Sequence, residues 1–461
     1  MHIIGSRLAL ATLFSSAVLL PGVSGCASPD GSTGSANDGD TATSALQQEV
    51  QASPETHSER YPIRGIHRLA GWDTSLPTKD LEPLREIIGG TEVVGLGESF
   101  HTSGGYHSAR KRIIEYLIEH MGFRVLALET PRSAARSVGA YVATCAGDPT
   151  EALRNIAHVF GSTDMRDLIV WMCQWNTEHP RDPVQFVGFD MQQPWADNVE
   201  LRDFFQKSAP ADVDTLYGGL STCDGIKATT RDEYYFDGGD NWPYPYAQSA
   251  FDACNRGLDA VDAYWKMHEL EVVGRTSFAQ LEWARIALIS YRAWQSEVFY
   301  YRTDELKEWN ARDTAMAEIL VRERRVGFPG QKTMVWAHDG HIQSNFLGPG
   351  GEPLGGITMG TLLQRHFKDD YQAIGFVGYD VEINWPGVGV GPLPPPSPGS
   401  VEDKLHALGE QYLLVDLQKI SPKFITPGKA YEVDDIVDVP RKDFRALVYL
   451  EHSPAMHALF W

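Results

Sequence analysis

The chain has 461 residues, 43% of them hydrophobic and 11% aromatic. That composition excludes a wholly disordered or low-complexity protein and suffices for a well-packed domain with insertions. With 40 Lys and Arg against 61 Asp and Glu, the formal net charge of −21 excludes binding to a nucleic-acid backbone, which needs clustered cations.

The first 26 residues carry one Arg, Arg7, then an apolar stretch from Leu8 to Leu20, then small residues before Cys26. This pattern reads as a secretory signal, too short to span a bilayer comfortably. Val23-Ser24-Gly25-Cys26 resembles a bacterial lipobox, so Cys26 is the expected lipidation site and the chain is expected to be exported and lipid-anchored at the cell envelope. No later segment has the ~20 uninterrupted apolar residues of a membrane helix, so the membrane is a partner only through that lipid. Residues 27–60 are rich in Ser, Thr, Gly, Asp, Ala and Gln. They cannot bury enough surface to offset their ordering entropy, and read as a flexible tether with a reach of about 30 Å.

Thr91 to Gly97 (TEVVGLG) and Phe123 to Glu129 (FRVLALE) are β-compatible apolar runs. Between them, Ile113, Ile114, Leu117, Ile118 and Met121 fall on one helical face. Strand, helix and strand at this spacing predict a βαβ unit with parallel, neighbouring strands. Further β-like runs occur at Val184 to Phe189, Lys332 to Ala337, Tyr371 to Val377 and near Arg445 to Leu450, with long helical passages around 150–180 and 275–325. The fold class is therefore α/β, with a central, largely parallel sheet surrounded by helices. The aromatic, Gly- and Pro-rich segment between Cys223 and Cys254 reads as a packed insertion or a lid, and Gly387 to Ser400 as an extended connector.

Beyond Cys26 there are four cysteines, Cys145, Cys173, Cys223 and Cys254. In an exported chain they permit two disulfides in any of three connectivities, and the sequence-neighbouring pairs would close loops of moderate length. None has the CxxC spacing of a zinc site.

In an open parallel sheet, the loops leaving the carboxyl ends of the strands gather on one edge and build the site. Here the first strand ends in Glu98 and His101, the second in Glu129, the third in Asp190 and Gln192, and the fourth in His338 and His341, which bracket an expected Asp339-Gly340 turn. Arg110 lies on the buried face of the crossover helix, where it needs an anionic partner, Glu98 or Glu129, whereas Arg112 is expected to point outward. There is no GxSxG elbow, HExxH, phosphate loop or complete GxGxxG. What remains is a His general base acting on water, oriented by a carboxylate, or a metal held by His and carboxylates. In the first case an Arg and further imidazoles stabilise the developing oxyanion, as in hydrolysis of an ester.

These residues make the sequence resemble the erythromycin esterase family. The resemblance rests on Gly97-Glu98-Ser99-Phe100-His101 with Arg110 nine residues on and Glu129 in ALETP. It continues through GFDMQQ from Gly188, WNARDTAMAE from Trp309 and WAHDGHI from Trp336. The ordered matches run from about residue 60 onward, so residues 61–461 are expected to form one hydrolase domain. The resemblance implies His101 as general base for a hydrolytic water, with Glu98, Glu129 and Arg110 around it, and His338, His341 and Asp190 on the substrate side of a broad cleft walled by helical excursions. No metal or other cofactor is expected, and the implied partner is a small ester or macrocyclic lactone. Two positions depart from the family pattern: Gly105 stands where an acidic residue is usual and Asp339 where Asn is usual. Two other readings use the same residues: a metallohydrolase with His101, His338, His341 and a carboxylate as ligands, and a haem-type ligand-binding lipoprotein. The substrate and the oligomeric state stay open at this level.

Overall fold

The computed structural model describes residues 63–192, 195–225, 247–300, 303–345, 355–425 and 440–460; all but the first of these residues fall within a single unit, Arg64–Trp461. The signal, the lipobox with Cys26, the tether and most of the aromatic insertion lie outside the described residues.

A nine-stranded sheet runs through the described chain. Its strands are β1 (Ile66–Arg68), β2 (Val93–Leu96), β3 (Phe123–Pro131), β4 (Gln185–Asp190), β5 (Lys332–Trp336), β6 (Tyr371–Trp385), β7 (Gly389–Pro392), β8 (Tyr412–Asp416) and β9 (Ala446–Ser453). The order is β1-β8-β9-β6-β2-β5-β3-β4, with β7 paired to β6. The six strands from β9 to β4 are parallel, and the antiparallel pairs are β1 with β8, β8 with β9, and β6 with β7.

β2 and β3 are parallel, as the βαβ pattern predicts, but they are not neighbours: β5 lies between them and pairs with both. A crossover helix fixes the direction of the returning strand and leaves open whether a slot remains for a later one. Part of the expected connector is also strand, since Gly389–Pro392 pairs with the end of β6.

Strand alternation divides the core. Val94, Leu96, Leu126, Leu128, Met334 and Trp336 face helices α1 (Gly104–Met121), α2 (Arg132–Thr144) and α3 (Thr163–Glu178). Val93, Ala127, Val335 and Ala337 belong to the opposite layer. A third cluster joins α4 (Trp195–Ser208), α5 (Gln248–Arg275) and α6 (Phe278–Tyr300), and the facing layer also holds α7 (Glu305–Gly327), α8 (Asp339–Ile342) and α9 (Met359–Phe367). α8 occupies the stretch expected as a turn.

Arg112 does not face solvent. Residues 71–80 cover that side of α1, where Asp80 takes the guanidinium on both oxygens at 2.7 and 2.9 Å and the Gly71 and Pro77 carbonyls accept at 2.8 Å each. No contact within the helix reveals that cover, which comes from chain preceding β2.

Of the three connectivities, the neighbouring one forms: Cys145 with Cys173, and Cys223 with Cys254, at separations of 28 and 31 residues. The first ties the end of α2 to α3, the second a short helical turn to α5. Loops of this length restrict the unfolded chain by about 3.5 kcal/mol each. Replacing both Cys145 and Cys173 by Ser is expected to lower the Tm by several degrees in calorimetry without loss of the native circular dichroism spectrum; an unchanged Tm would show that this bridge does not restrain the unfolded chain.

Candidate active site

The strand β2 ends at Leu96, and Gly97 follows because nothing larger fits: a Cβ there would lie 1.6 Å from Asp339 Oδ1. Gly95 is likewise pressed by Tyr371 and Ile342. Both glycines permit close packing against α8, rather than easing a turn.

Glu98 comes next and is fully buried. One of its oxygens takes the Arg110 guanidinium, which also donates to the Gly97 carbonyl at 2.8 Å and lies 4.1 Å from the Trp336 ring. The other oxygen lies 2.7 Å from His101 Nδ1. Burial alone would raise the Glu98 pKa, but Arg110 and then His101 outweigh it and hold the carboxyl well below the usual carboxylate range. An ionised Glu98 therefore keeps the His101 proton on Nδ1 and leaves Nε2 as the acceptor nitrogen; 6% of the side chain is exposed. Phe160 packs edge-on against the ring.

The chain folds back on itself here through Thr102, whose φ of 65° lies in the left-handed region that β-branched residues avoid. Its carbonyl is held by the backbone N–H groups of Asn384 (3.2 Å) and Met456 (2.9 Å). The strain is thus offset by strands and chain far away in sequence. Gly105, one of the departures, packs on Ser453, whose Oγ would lie 2.3 Å from a Cβ. The acidic side chain usual at that position has no room.

A second cluster sits on the neighbouring strand ends. Glu129 Oε1 accepts from Arg312 Nη2 at 2.7 Å, and Oε2 from the His338 backbone N–H at 2.8 Å. Arg312 also donates to Asp190 Oδ2 at 2.9 Å. Burial opposes a charge on Glu129, but His341 and Arg312 outweigh it and hold its pKa at about 2. Arg312 comes from α7 and retains 12% side-chain exposure; Arg110, by contrast, is sealed. His341 donates from Nδ1 to Asp313 Oδ2 at 2.9 Å. Asp313 and Glu129 draw a proton to its ring and raise its pKa, against burial and Arg312. Arg312 Nη1 lies 3.0 Å from Nε2 and can only donate, so that hydrogen bond forms with the neutral ring.

His338 has both nitrogens engaged. Nδ1 accepts the Gly340 N–H at 3.0 Å and Nε2–H donates to the Ser99 carbonyl at 3.0 Å. Burial, then the neighbouring imidazoles, lower its pKa to about 3, so it stays neutral and pins the loop that carries His101, 5.1 Å away between ring centres. Among the described residues no group of three or more His, Cys, Asp or Glu side chains is arranged to hold a metal ion. Both expected metal ligands on β5's edge, His338 and His341, spend their ring nitrogens on protein partners.

All seven sequence-derived residues other than Cys26 thus meet on one edge, in two clusters. Glu98, His101 and Arg110 form one; Glu129, Asp190, His338 and His341 form the other around Arg312. Asp190 and His341 lie beneath Arg312 and out of solvent, so neither presents the open surface expected of a substrate contact. Arg312 and Asp313, which stand within WNARDTAMAE, join the site from a helix rather than a strand end, and a sequence signal for them is present. Asp313 falls on the stripe it shares with Met316, Ala317 and Leu320, all buried, and a charge in an apolar stripe needs a partner.

The erythromycin esterase family model matches residues 118–452, a span that includes the second cluster and begins after the first. The chain belongs to the erythromycin esterase family. Among curated relatives, the erythromycin esterase type II of Escherichia coli is 23% identical over 312 residues, covering 65% of this chain and 72% of that protein. Among solved structures, a mutant of the erythromycin esterase EreC in its open conformation superposes with a TM-score of 0.66 at 20% identity, covering 85% of this chain and 98% of that one. A succinoglycan biosynthesis protein superposes with a TM-score of 0.67 at 17% identity, over 85% and 96% of the two chains. The erythromycin esterase fold accounts for the central sheet with its helical surround, and membership in the family supports a hydrolase acting on a small molecule.

The buried Glu98–Arg110 pair is expected to behave as one unit. Arg110→Met leaves a carboxylate unpaired in the core and should cost about 3–5 kcal/mol in urea denaturation, most of which Glu98→Gln in the same chain should restore. Additive losses in the double variant would show that the two charges are not coupled.

Proposed function

We propose that this chain hydrolyses a carboxylic ester or a macrocyclic lactone, with His101 as the general base that draws a proton from the attacking water. The observation that carries this reading is the 2.7 Å contact between His101 Nδ1 and a Glu98 that Arg110 keeps ionised. It leaves Nε2 as the nitrogen without a proton. A neutral imidazole can accept a proton from water, and the adjacent carboxylate stabilises the imidazolium that results. The proton then passes to the departing alkoxide when the tetrahedral intermediate collapses.

Of the two site arginines, Arg312 reaches solvent, so it rather than Arg110 is assigned to the developing oxyanion. Glu129, Asp190 and His341 then act by aiming Arg312, and His338 by holding Ser99 and hence the His101 loop. The same reading uses no metal or other cofactor. We also propose export and lipid anchoring through Cys26; the two disulfides suit the oxidising compartments outside the cytosol.

The test is to incubate the protein with macrolides and a panel of simple esters beside His101→Asn. Product mass should rise by one water, with ¹⁸O from labelled water in the acid product, and the variant should lose about 10²–10⁴-fold in turnover at unchanged Tm. A chelator should leave the rate unchanged. Equal turnover by the variant removes His101 from the mechanism, and loss of activity on metal removal replaces this reading with the metallohydrolase.

A further inference from the structure

One imidazole of this edge has no part in the chemistry above. His107, in the first turn of α1, is fully buried, with its ring edge-on to Trp336 at 5.2 Å between centres. Its Nδ1 lies 2.8 Å from Ser162 Oγ. Its Nε2 points at Glu98 Oε2 from 3.9 Å and makes no hydrogen bond.

Glu98 settles which nitrogen carries the proton. Ser162 suits either ring form, since its oxygen accepts the Met165 N–H at 3.1 Å while capping α3 and still has a second lone pair and a hydroxyl hydrogen for His107 Nδ1. The ring proton sits on Nε2 and faces the carboxylate. The other tautomer would aim a lone pair at an anion in a dry interior, where repulsion is weakly screened.

We propose that His107 is a positioning residue: a permanently neutral imidazole, fixed by Ser162, whose Nε2–H dipole trims the negative charge that Glu98 offers to His101. The proposal rests on the reading of Glu98 and His101 as the catalytic pair. At 3.9 Å the interaction is a charge–dipole contact and not a hydrogen bond.

The groups that face this set are few among the described residues. Glu98 receives Arg110 and His101, Arg110 faces Asp339 and Tyr106 besides Glu98, and His338 and the carboxylate of Glu129 stand near His101. From α3 comes the uncharged Ser162, and from β5 the uncharged Trp336. Burial, opposed by Glu98, depresses the His107 pKa to about 3. His107 therefore adds a constant offset to His101 rather than a second titration. Without it, Glu98 would stabilise the imidazolium more strongly and His101 would begin to protonate at a higher pH, shrinking the range over which it can act as base.

The experiment is ¹⁵N NMR of histidine-labelled full-length protein titrated from pH 5 to 9, for the wild type, His107→Leu and His107→Gln. His107 should show the Nε2–H tautomer throughout and should not titrate. In His107→Leu the His101 midpoint should rise by about 0.5 pH, an approximately threefold change in proton affinity, and any acid limb of hydrolysis should move with it. His107→Gln, whose amide N–H reaches the same place, should return the midpoint to the wild-type value. A role in packing alone would lower the Tm in both variants and leave the midpoint where it was. An Nδ1–H tautomer, titration of His107 within this range, an unmoved midpoint in His107→Leu or no recovery in His107→Gln would each overturn the proposal. Should His107→Leu not fold, His107→Phe, which keeps a ring against Trp336 without an N–H, takes its place; an unmoved midpoint there has the same force. The NMR readout needs no substrate, so a failure to hydrolyse any ester would count against the proposed function and leave this result standing.

Discussion

The site depends on one interaction, the ion pair of Glu98 and Arg110 in a place without water. An ionised carboxylate buried alone would take up a proton or force the chain open. Arg110 prevents this because it is held on several sides: by the Glu98 oxygen, by the Gly97 carbonyl and by the ring faces of Trp336 and Phe376. With one oxygen committed to the guanidinium, the second has a fixed direction, and it faces His101. The orientation of the His101 imidazole is thus set by a charge pair that solvent does not reach.

A second guanidinium does similar work one strand away, and the difference between the two is exposure. Arg312 gathers Glu129 from the end of β3, Asp190 from the end of β4 and His341 from α8, so a single side chain from α7 ties three strand ends together. Glu129 in turn receives the His338 backbone N–H, and His338 holds the Ser99 carbonyl, which links the second cluster to the loop of the first. Arg110 is a foundation, and Arg312 is a foundation with one face left toward solvent. The left-handed Thr102 between His101 and α1 fits the same scheme, because distant backbone donors from β6 and from the chain after β9 hold it in place.

Much of this edge was legible from residue order. Apolar runs located β2, β3, β4, β5, β6 and β9, and polar residues directly after a parallel strand must gather on one edge, whatever the strand order. The helical phase of Arg110 against Ile113 and Ile114 placed it inward for the same reason. Less was legible where a residue's environment comes from chain that is distant in sequence. Arg112 has the phase of an exposed residue, yet it is buried beneath residues 71–80. β1 and β7 are short and lack a periodic signal, and take their strand character from the partners they pair with; β8, YLLVD, is an apolar run as long as β5 and was legible in the same way.

The sequence by itself determined the α/β class, the parallel direction of the main strands, and the set of carboxylates, imidazoles and Arg110 that would share an edge. These follow from local periodicity and from chain direction, which do not depend on distant partners. Only the tertiary structure decided that β5 separates β2 from β3, that Glu98 and not Glu129 takes Arg110, and that Arg312 organises the second cluster. Each of these is a choice among partners that residue spacing leaves equal, settled by which strand fills the slot beside β2 and by which side chains can share a buried charge.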